Sequence, residues 1–378
     1  MQFPNFLIMT NKELFFFAAK CLSLDDHPDF KEEIIRIISD ETNSQNFVRL
    51  CSNHLVLPVI YLKFISHDIL PHLPNGLAEF LVEVYHLNLN RNEKILKQVQ
   101  EIMYHLNKHE IYPTLLKGTG NILDNLYSST GERMIGDIDL LVSEDDYLRA
   151  AQILENDGYF HDNPDYFEVK DMKHYPRLFK KGMPVDVEIH RLPVRIEYTK
   201  MYNTDLIDQE KKAINIGFSC FVLSDKHKVI HNFIHSQLSD KGYSYGLVPL
   251  RDLYDLYLLT KRTDISQTIP FIQHKSKAIS YFLFARKAFN VPDLFPHHET
   301  LTSRLFAIKN DLNLRSYTIY RTNKSLVYMT DRINKYLMQI VKSFYSGEMR
   351  RSLIRRLSNR HWYKNHIYTY VDFFSRKK

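Results

Sequence analysis

The chain has 378 residues, of which 44% are hydrophobic and 25% are charged, a balance that excludes a disordered protein and permits a large core. Glycine is scarce at 11 residues and proline is low at 14, which argues against collagen-like, linker-rich and turn-rich all-β architectures and favours helices. The formal net charge is +6, but residues 341–378 hold ten Lys and Arg against two acids, so the remainder of the chain is close to neutral.

The cysteines and the apolar runs indicate the compartment. Cys21, Cys51 and Cys220 are scattered and form no CxxC pattern, which excludes a disulfide framework and a thiolate zinc site and fits a reducing environment. The first 20 residues carry no basic segment ahead of the apolar ones, and no apolar run approaches the roughly 18 residues that span a bilayer. We therefore expect a cytoplasmic protein without a membrane span.

The basic segment at residues 341–378 has more than one interpretation. Its charge is suited to nucleic acid, to anionic lipid or to a phosphate-rich substrate. It also fits the solvated face of a C-terminal helix, which the charge pattern alone favours.

Residues 1–110 are predicted to form an N-terminal helical region. Asn11 is the predicted cap of a first helix, and apolar residues at helical spacing predict further helices over 29–38 and 77–107. The longest of these carries an apolar stripe along its length, as expected for a helix packed on one side.

The pattern changes at residue 111 and predicts a small α/β core over residues 111–223. Short apolar segments predict strands at 111–116, 138–142, 177–181, 185–191 and 218–223, with 177–181 and 185–191 forming a hairpin. Helices are predicted over 121–127 and 145–156. Helical periodicity returns over 224–378, where Ser224 or Asp225 caps one helix and Pro249 opens another. The predicted fold class is therefore α+β, with a small mixed sheet flanked by N-terminal and C-terminal helical regions.

Two common phosphate-binding loops are absent from the sequence. There is no GxxxxGK[ST], and the GxGxxG that begins at Gly118 fails because residue 123 is Leu. His231 and His235 have the i, i+4 spacing of a metal pair, but no third ligand is evident and a structural role is favoured. What remains is the segment LLKGTG, a predicted strand, glycine turn and helix start whose backbone amides suit a phosphate.

Asp137 and Asp139 are two residues apart at the start of a predicted buried strand, so their carboxylates project from the same face. Two adjacent carboxylates repel unless a cation lies between them, and Mg²⁺ is suited to such an oxygen-only site. A lone DxD also occurs in loops and on solvated strand edges.

Strict alternation over residues 185–190 places Asp186, Glu188 and His190 on one face of another strand. An acid on this strand could complete a site of three carboxylates with Asp137 and Asp139. The alternative is an ordinary amphipathic edge strand with a hydrated face.

Together these features resemble the nucleotidyltransferase superfamily related to DNA polymerase β. More closely, LLKG, Arg133, DIDLLV at 137–142, GY at 158–159 and EIH at 188–190 are similar to an uncharacterised bacterial nucleotidyltransferase family with the pattern LKG…R…DIDLLV…GY…(D/E)hH. The resemblance extends over about residues 30–260.

The resemblance implies that the protein transfers a nucleoside monophosphate from a nucleoside triphosphate (NTP) to a hydroxyl acceptor of unknown identity, releasing pyrophosphate. Asp137 and Asp139 would hold Mg²⁺ or Mn²⁺ ions. Glu188, favoured over Asp186 because His190 follows at the family spacing, would bind the ion that activates the acceptor or act as its base. His190 would then support that acid or contact the acceptor, unless it is a surface histidine.

Residues of the glycine turn would bind the triphosphate. The expected nucleotide contacts are Lys117, Gly118, Thr119 and Arg133. Arg133 has an alternative role as a structural ion pair with Asp137 or Asp139. Two other functions stay open at this point: a non-catalytic nucleotide- or RNA-binding protein on the same fold, and a toxin-like transferase that modifies tRNA or a protein and uses the basic tail to bind RNA.

Overall fold

The computed structural model describes residues 8–161, 173–295 and 297–345, together with residues 347, 350, 351, 354 and 358. It is helix-rich and contains one mixed five-stranded sheet, which confirms the predicted α+β class. Among the described residues, no helix combines the length and apolarity needed to cross a membrane.

The N-terminal helices are α1 (Asn11–Leu22), α2 (Lys31–Ile38), α3 (Glu41–Asn53), α4 (Leu57–Ser66) and α5 (Asn75–Asn107), with 3₁₀ turns at Leu24–Asp26, Pro28–Phe30 and Leu70–His72. The cap of α1 is Thr10 and not Asn11, because Thr10 and Glu13 form a reciprocal capping box. The long helix predicted over 77–107 is confirmed by α5.

Helix α5 fixes the segment that leads into the central strand. Asn88 donates to the carbonyls of Gly131 and Arg133, and Asn92 donates to Thr130 and Arg133, all from buried positions. Because buried carbonyls need donors, these amides hold the loop before the strand in one conformation.

The core contains strands β1 (Thr114–Leu115), β2 (Asp137–Leu141), β3 (Asp186–His190), β4 (Lys212–Asn215) and β5 (Ser219–Val222), with helices α6 (Lys117–Leu123), α7 (Tyr147–Asn156) and α8 (Thr204–Asp208) and a 3₁₀ turn at Ile196–Tyr198. The strand order is β3-β2-β1-β5-β4. Strand β2 is parallel to β3 and antiparallel to β1, which is in turn parallel to β5. The predicted strands at 111–116, 138–142 and 185–191 therefore lie in one mixed sheet, as expected.

Three local predictions in the core need correction. Helix α6 begins at Lys117, four residues before the predicted start at 121, because the chain turns directly from β1 into the helix. The predicted strand at 177–181 is reduced to isolated bridges, of which one joins Leu178 to Val187. Strand β4 was not predicted, since its residues alternate between partly buried and exposed and have no long apolar run.

The C-terminal helices are α9 (Asp225–Phe233), α10 (Gly242–Tyr245), α11 (Leu250–Thr260), α12 (Lys275–Phe289), α13 (Leu301–Arg315) and α14 (Tyr317–Tyr345), with a π-helical segment at Ile234–Ser239 and 3₁₀ turns at Ile265–Phe271 and Pro292–Leu294. Ser224 caps α9 and Pro249 precedes α11, as predicted. Most of the basic segment at 341–378 lies outside the described residues.

The division into regions 1–110, 111–223 and 224–378 stays a prediction. Buried apolar side chains from all three regions form one contiguous cluster, which extends from Leu14 to Phe306. The helices therefore share a core with the sheet.

Candidate active site

The predicted acids meet where β2 and β3 run side by side. Parallel pairing sets Asp137 beside Asp186 and Asp139 beside Glu188. Asp139 and Glu188 are buried, with 1% and 7% of their surfaces exposed, whereas Asp137 and Asp186 are partly exposed. The carboxylates of Asp139 and Glu188 are 49 positions apart in the sequence, and the pairing of the two strands brings them together. We call Asp137, Asp139, Asp186 and Glu188 the acid cluster.

His190 lies against the acid cluster and is not a surface histidine. It is 1% exposed, and its Nε2 lies 2.9 Å from Asp139 Oδ1 and 3.3 Å from Glu188 Oε2. Within the described part of the chain, its buried Nδ1 atom has no hydrogen-bond partner. One donor atom from each of Asp139, Glu188 and His190 lies within 4.8 Å of the others, so the three side chains could hold one metal ion.

Two cations neutralise the acids. Lys117 Nζ lies 2.6 Å from Asp139 Oδ1, so the lysine expected to bind phosphate is paired with an acid of the cluster. Arg177 donates to Glu188 Oε1 through Nε at 3.0 Å and through a terminal nitrogen at 2.6 Å. The same guanidinium lies 3.7 Å from Asp137 and 3.7 Å from Asp186, so it bridges the outer part of the cluster.

These contacts separate the acids by their proton affinity. Burial opposes ionisation of Asp139, but the charge of Lys117 and the hydrogen bond from His190 hold its pKa well below the usual range. Burial also opposes ionisation of Glu188, but its hydrogen bond with His190 and its electrostatic interactions with His190 and His174 together lower the pKa of Glu188 to about 2. Burial and the nearby charge of Asp139 raise the pKa of Asp137, the repulsion expected for adjacent carboxylates.

The glycine turn brings Lys117 and Gly118, but not Thr119, to the cavity. Lys117 has a φ of +49°, in the left-handed region, and Gly118 lines the cavity directly after it. Thr119 is fully buried and is not among the residues that line the cavity. A Cβ on Gly120 would lie 2.3 Å from the carbonyl oxygen of Leu115, so glycine there permits the close packing of α6 on β1.

Arg133 has a partner that sequence reasoning missed. Its Nε and one terminal nitrogen bind the carboxylate of Asp255 on α11 at 3.0–3.1 Å, and its other terminal nitrogen donates to the Met134 carbonyl at 2.7 Å. The Tyr127 hydroxyl also donates to Asp255, at 2.8 Å. The structural ion pair considered for Arg133 thus exists, but with Asp255 and not with Asp137 or Asp139.

Arg177 was also missed, although the predicted hairpin contained the signal. The bridge between Leu178 and Val187 places Arg177 directly opposite Glu188. In an antiparallel pair, opposite side chains of opposite charge interact, so the hairpin register alone indicates this contact.

Asp137 and Glu188 border a cavity of about 400 Å³, a size typical of small-molecule sites. Six Lys and Arg line it together with three acids. The lining residues are Lys117, Gly118, Arg133, Ile135, Gly136, Asp137, Lys173, His174, Arg177, Glu188, Arg195, His235, Ser239, Asp240 and Arg251. Carboxylates and an excess of cations in one cavity suit a polyanion that binds together with metal ions.

The two histidines considered as a metal pair face different partners. His231 Nε2 contacts the Pro193 carbonyl at 3.2 Å, and His235 Nδ1 contacts Asp240 at 3.3 Å. Burial lowers the pKa of His231 to about 3, so this side chain is neutral. Both histidines border a smaller adjoining cavity of about 60 Å³, and His235 lies in the π-helical segment, a feature frequent at functional sites.

Comparison with known proteins agrees with these observations. The sequence model of a family described as uncharacterised nucleotidyltransferase matches residues 40–276, which include the sheet, the acid cluster and the cavity. No curated protein matches the chain. The match covers more than half of the sequence, so the chain belongs to this uncharacterised nucleotidyltransferase family, and nucleotidyl transfer is the general reaction that its membership supports.

Proposed function

We propose that the protein transfers a nucleoside monophosphate from an NTP to a hydroxyl acceptor, using divalent cations held by Asp137, Asp139 and Glu188. The observation that carries this proposal is the shared cavity, in which two of these acids stand among six Lys and Arg. A metal-bound triphosphate needs both kinds of side chain, since the acids hold the ions and the cations bind phosphate oxygens.

The donor atoms of the cluster fit a divalent cation. Asp139 and Glu188 offer carboxylate oxygens, which Mg²⁺ prefers, and His190 adds an imidazole nitrogen, which Mn²⁺ also accepts. When bound, the ions would polarise the phosphoryl group and neutralise charge on the leaving pyrophosphate. The ion pairs of Lys117 with Asp139 and of Arg177 with Glu188 support the proposal, since these carboxylates are charged and interact with cations.

Other cations of the cavity are the candidates for binding the phosphates. Within the described ranges, neither Lys173 nor Arg195 has a carboxylate oxygen within 4.0 Å, although both line the cavity. The contact of Arg251 with Asp252 is 3.6 Å, longer than the 2.6 Å contacts that Lys117 makes with Asp139 and Arg177 makes with Glu188. We therefore assign the triphosphate to Lys173, Arg195 and Arg251, beside Lys117 and Gly118.

Glu188 is the better candidate for the third acid. It is buried beside Asp139 and His190, whereas Asp186 lies at the outer end of β3 with 33% of its side chain exposed. A carboxylate held by two neighbours can be positioned against a reacting hydroxyl more exactly than a solvated one.

The test is incubation of the purified chain with NTPs labelled in the α-phosphate and with Mg²⁺ or Mn²⁺, alone and with cell extract, followed by separation of labelled products. We expect transfer of label and release of pyrophosphate. Glu188→Gln should lower turnover by orders of magnitude while NTP still raises the melting temperature. The matched variant Asp186→Asn, two residues away on the same strand face, should have a mild effect.

Two results would contradict the proposal. Stabilisation by NTP without labelled product under every condition would indicate a non-catalytic nucleotide-binding protein. A loss of turnover in Asp186→Asn and not in Glu188→Gln would show that the acid is assigned two residues out of register.

A further inference from the structure

Helix α14 is long, and none of its side chains is buried. It runs for 29 residues from Tyr317 to Tyr345. Seven of the exposed apolar side chains of this helix lie along one face and are 44–73% exposed: Ile319, Leu326, Met329, Ile333, Leu337, Ile340 and Phe344. We call these seven residues the apolar stripe, because their spacings of three, four and seven place them on one face of a helix. The stripe is roughly 37 Å long, at 1.5 Å per residue.

The apolar stripe faces away from the rest of the protein. Asp331 binds Lys241 at 2.6 Å and so marks the side of α14 that contacts the protein. Ile333 follows Asp331 by two residues, a rotation of about 200° around the helix axis. Exposed apolar surfaces of this length are unusual on a monomer and indicate that another surface covers them.

The charge of α14 identifies the kind of surface. The helix carries five Lys and Arg, namely Arg321, Lys324, Arg332, Lys335 and Lys342, against the single acid Asp331. The sequence after the helix continues this bias, with nine Lys and Arg and two acids over residues 346–378. An apolar face combined with a basic polar face is typical of helices that lie in the headgroup region of an anionic membrane.

We propose that α14 binds an anionic lipid surface, with the apolar stripe at the boundary of the acyl chains and the positive charge of the helix and of the sequence after it attracting the headgroups. Pairing of α14 with a second copy would bring two strongly basic helices together, and each α14 carries only one acid, Asp331, to offset the repulsion. RNA would match the charge but would leave the seven apolar side chains in water. The lipid surface matches both properties.

The test is sedimentation of the full chain with vesicles of phosphatidylcholine alone and of phosphatidylcholine mixed with phosphatidylglycerol. We expect the chain to sediment with the anionic vesicles and to be released by added salt. The double variant Ile333→Glu, Leu337→Glu should bind about tenfold more weakly or worse, since two apolar side chains are lost from the contact. The matched control is Leu87→Glu on α5, where the leucine is 62% exposed, and its binding should be unchanged.

Several results would overturn the proposal. Equal sedimentation of the unaltered chain with both kinds of vesicle would overturn it, and so would the absence of sedimentation with either kind. Both results hold even if the double variant fails to fold, because they do not depend on that variant. Anionic binding that the folded double variant retains would exclude the apolar stripe. A dimer seen by light scattering that the double variant dissociates, without vesicle binding by the unaltered chain, would assign the stripe to a second copy.

Discussion

The buried pair of Arg133 and Asp255 offers a sharp test of which side chains stabilise the site. Both are almost inaccessible, with 8% and 6% of their side chains exposed, and three nitrogen–oxygen contacts of 3.0–3.1 Å join them. Asp255→Asn keeps an acceptor for the hydroxyl of Tyr127 but leaves the guanidinium buried without its counter-charge. Breaking a buried pair on one side costs about 3–5 kcal/mol, and because the amide retains some hydrogen bonding we expect about 3 kcal/mol.

The assay is urea unfolding followed by circular dichroism and tyrosine fluorescence, with coincident transitions as the criterion for a two-state analysis. The matched control is Arg304→Gln, which breaks the exposed pair with Glu299, where 67% and 57% of the two side chains are exposed. That change should lower the free energy of unfolding by less than about 1 kcal/mol. The double variant Arg133→Met, Asp255→Leu should recover most of the loss, since no unpaired charge remains buried.

A different outcome would refute the structural role of Arg133. If Asp255→Asn and Arg133→Met each lower the free energy of unfolding by less than about 1 kcal/mol, the pair does not stabilise the fold. If Arg133→Met then also removes the stabilisation by NTP, Arg133 acts on the triphosphate, the role first expected from the sequence.

Three further predictions concern the acid cluster, the glycine turn and the pH dependence of stability. Arg177→Gln removes a half-exposed cation that we expect to compete with metal ions for Glu188. Titration with Mn²⁺, followed by electron paramagnetic resonance, should therefore show about threefold to tenfold tighter metal binding in the variant. Weaker binding would contradict this competition. Gly120→Ala sets a Cβ 2.3 Å from the carbonyl oxygen of Leu115 and should lower the free energy of unfolding in urea by about 1–3 kcal/mol. The control Gly136→Ala, whose Cβ would have no atom within 4 Å, should leave that free energy nearly unchanged. Equal effects of the two variants would exclude the steric explanation. Burial lowers the pKa of His54 from 6.5 to about 4, so the unfolded chain binds a proton at this histidine more readily than the folded chain does. The free energy of unfolding should therefore fall as the pH drops from 6.5 towards 4. His54 contributes up to about 1.4 kcal/mol per pH unit to this fall. His54→Gln should flatten that slope in urea unfolding measured across the window, and an unchanged slope would show that other groups cause it.

Local patterns in the sequence predicted the elements that carry the acids. The alternation around Glu188 and the apolar run after Asp139 are properties of a few consecutive residues, and they predicted β2 and β3 correctly. The acids themselves were singled out because a glycine turn, the pair Asp137 and Asp139 and a later acid together resemble the pattern of a known family. Their assignment as metal ligands stays a prediction that the experiments above address.

Charge pairing could not be predicted in the same way. Arg133 and Asp255 are 122 residues apart, and which acid meets a buried arginine depends on how α11 packs against the core. Thr119 shows the same limit, since its place in the glycine turn suggested a phosphate contact while the packing of α6 turns it away from the cavity.

The sequence by itself therefore determined the fold class, the two strands that carry the acids and the face on which the acids stand, because periodicity and turn residues act over short distances along the chain. The tertiary structure alone decided that Lys117 neutralises Asp139 and that Asp255 neutralises Arg133, and it assembled the cavity from segments between Lys117 and Arg251. It also left the apolar stripe of α14 exposed, since the apolar spacing that predicts a helix does not specify which surface will cover it.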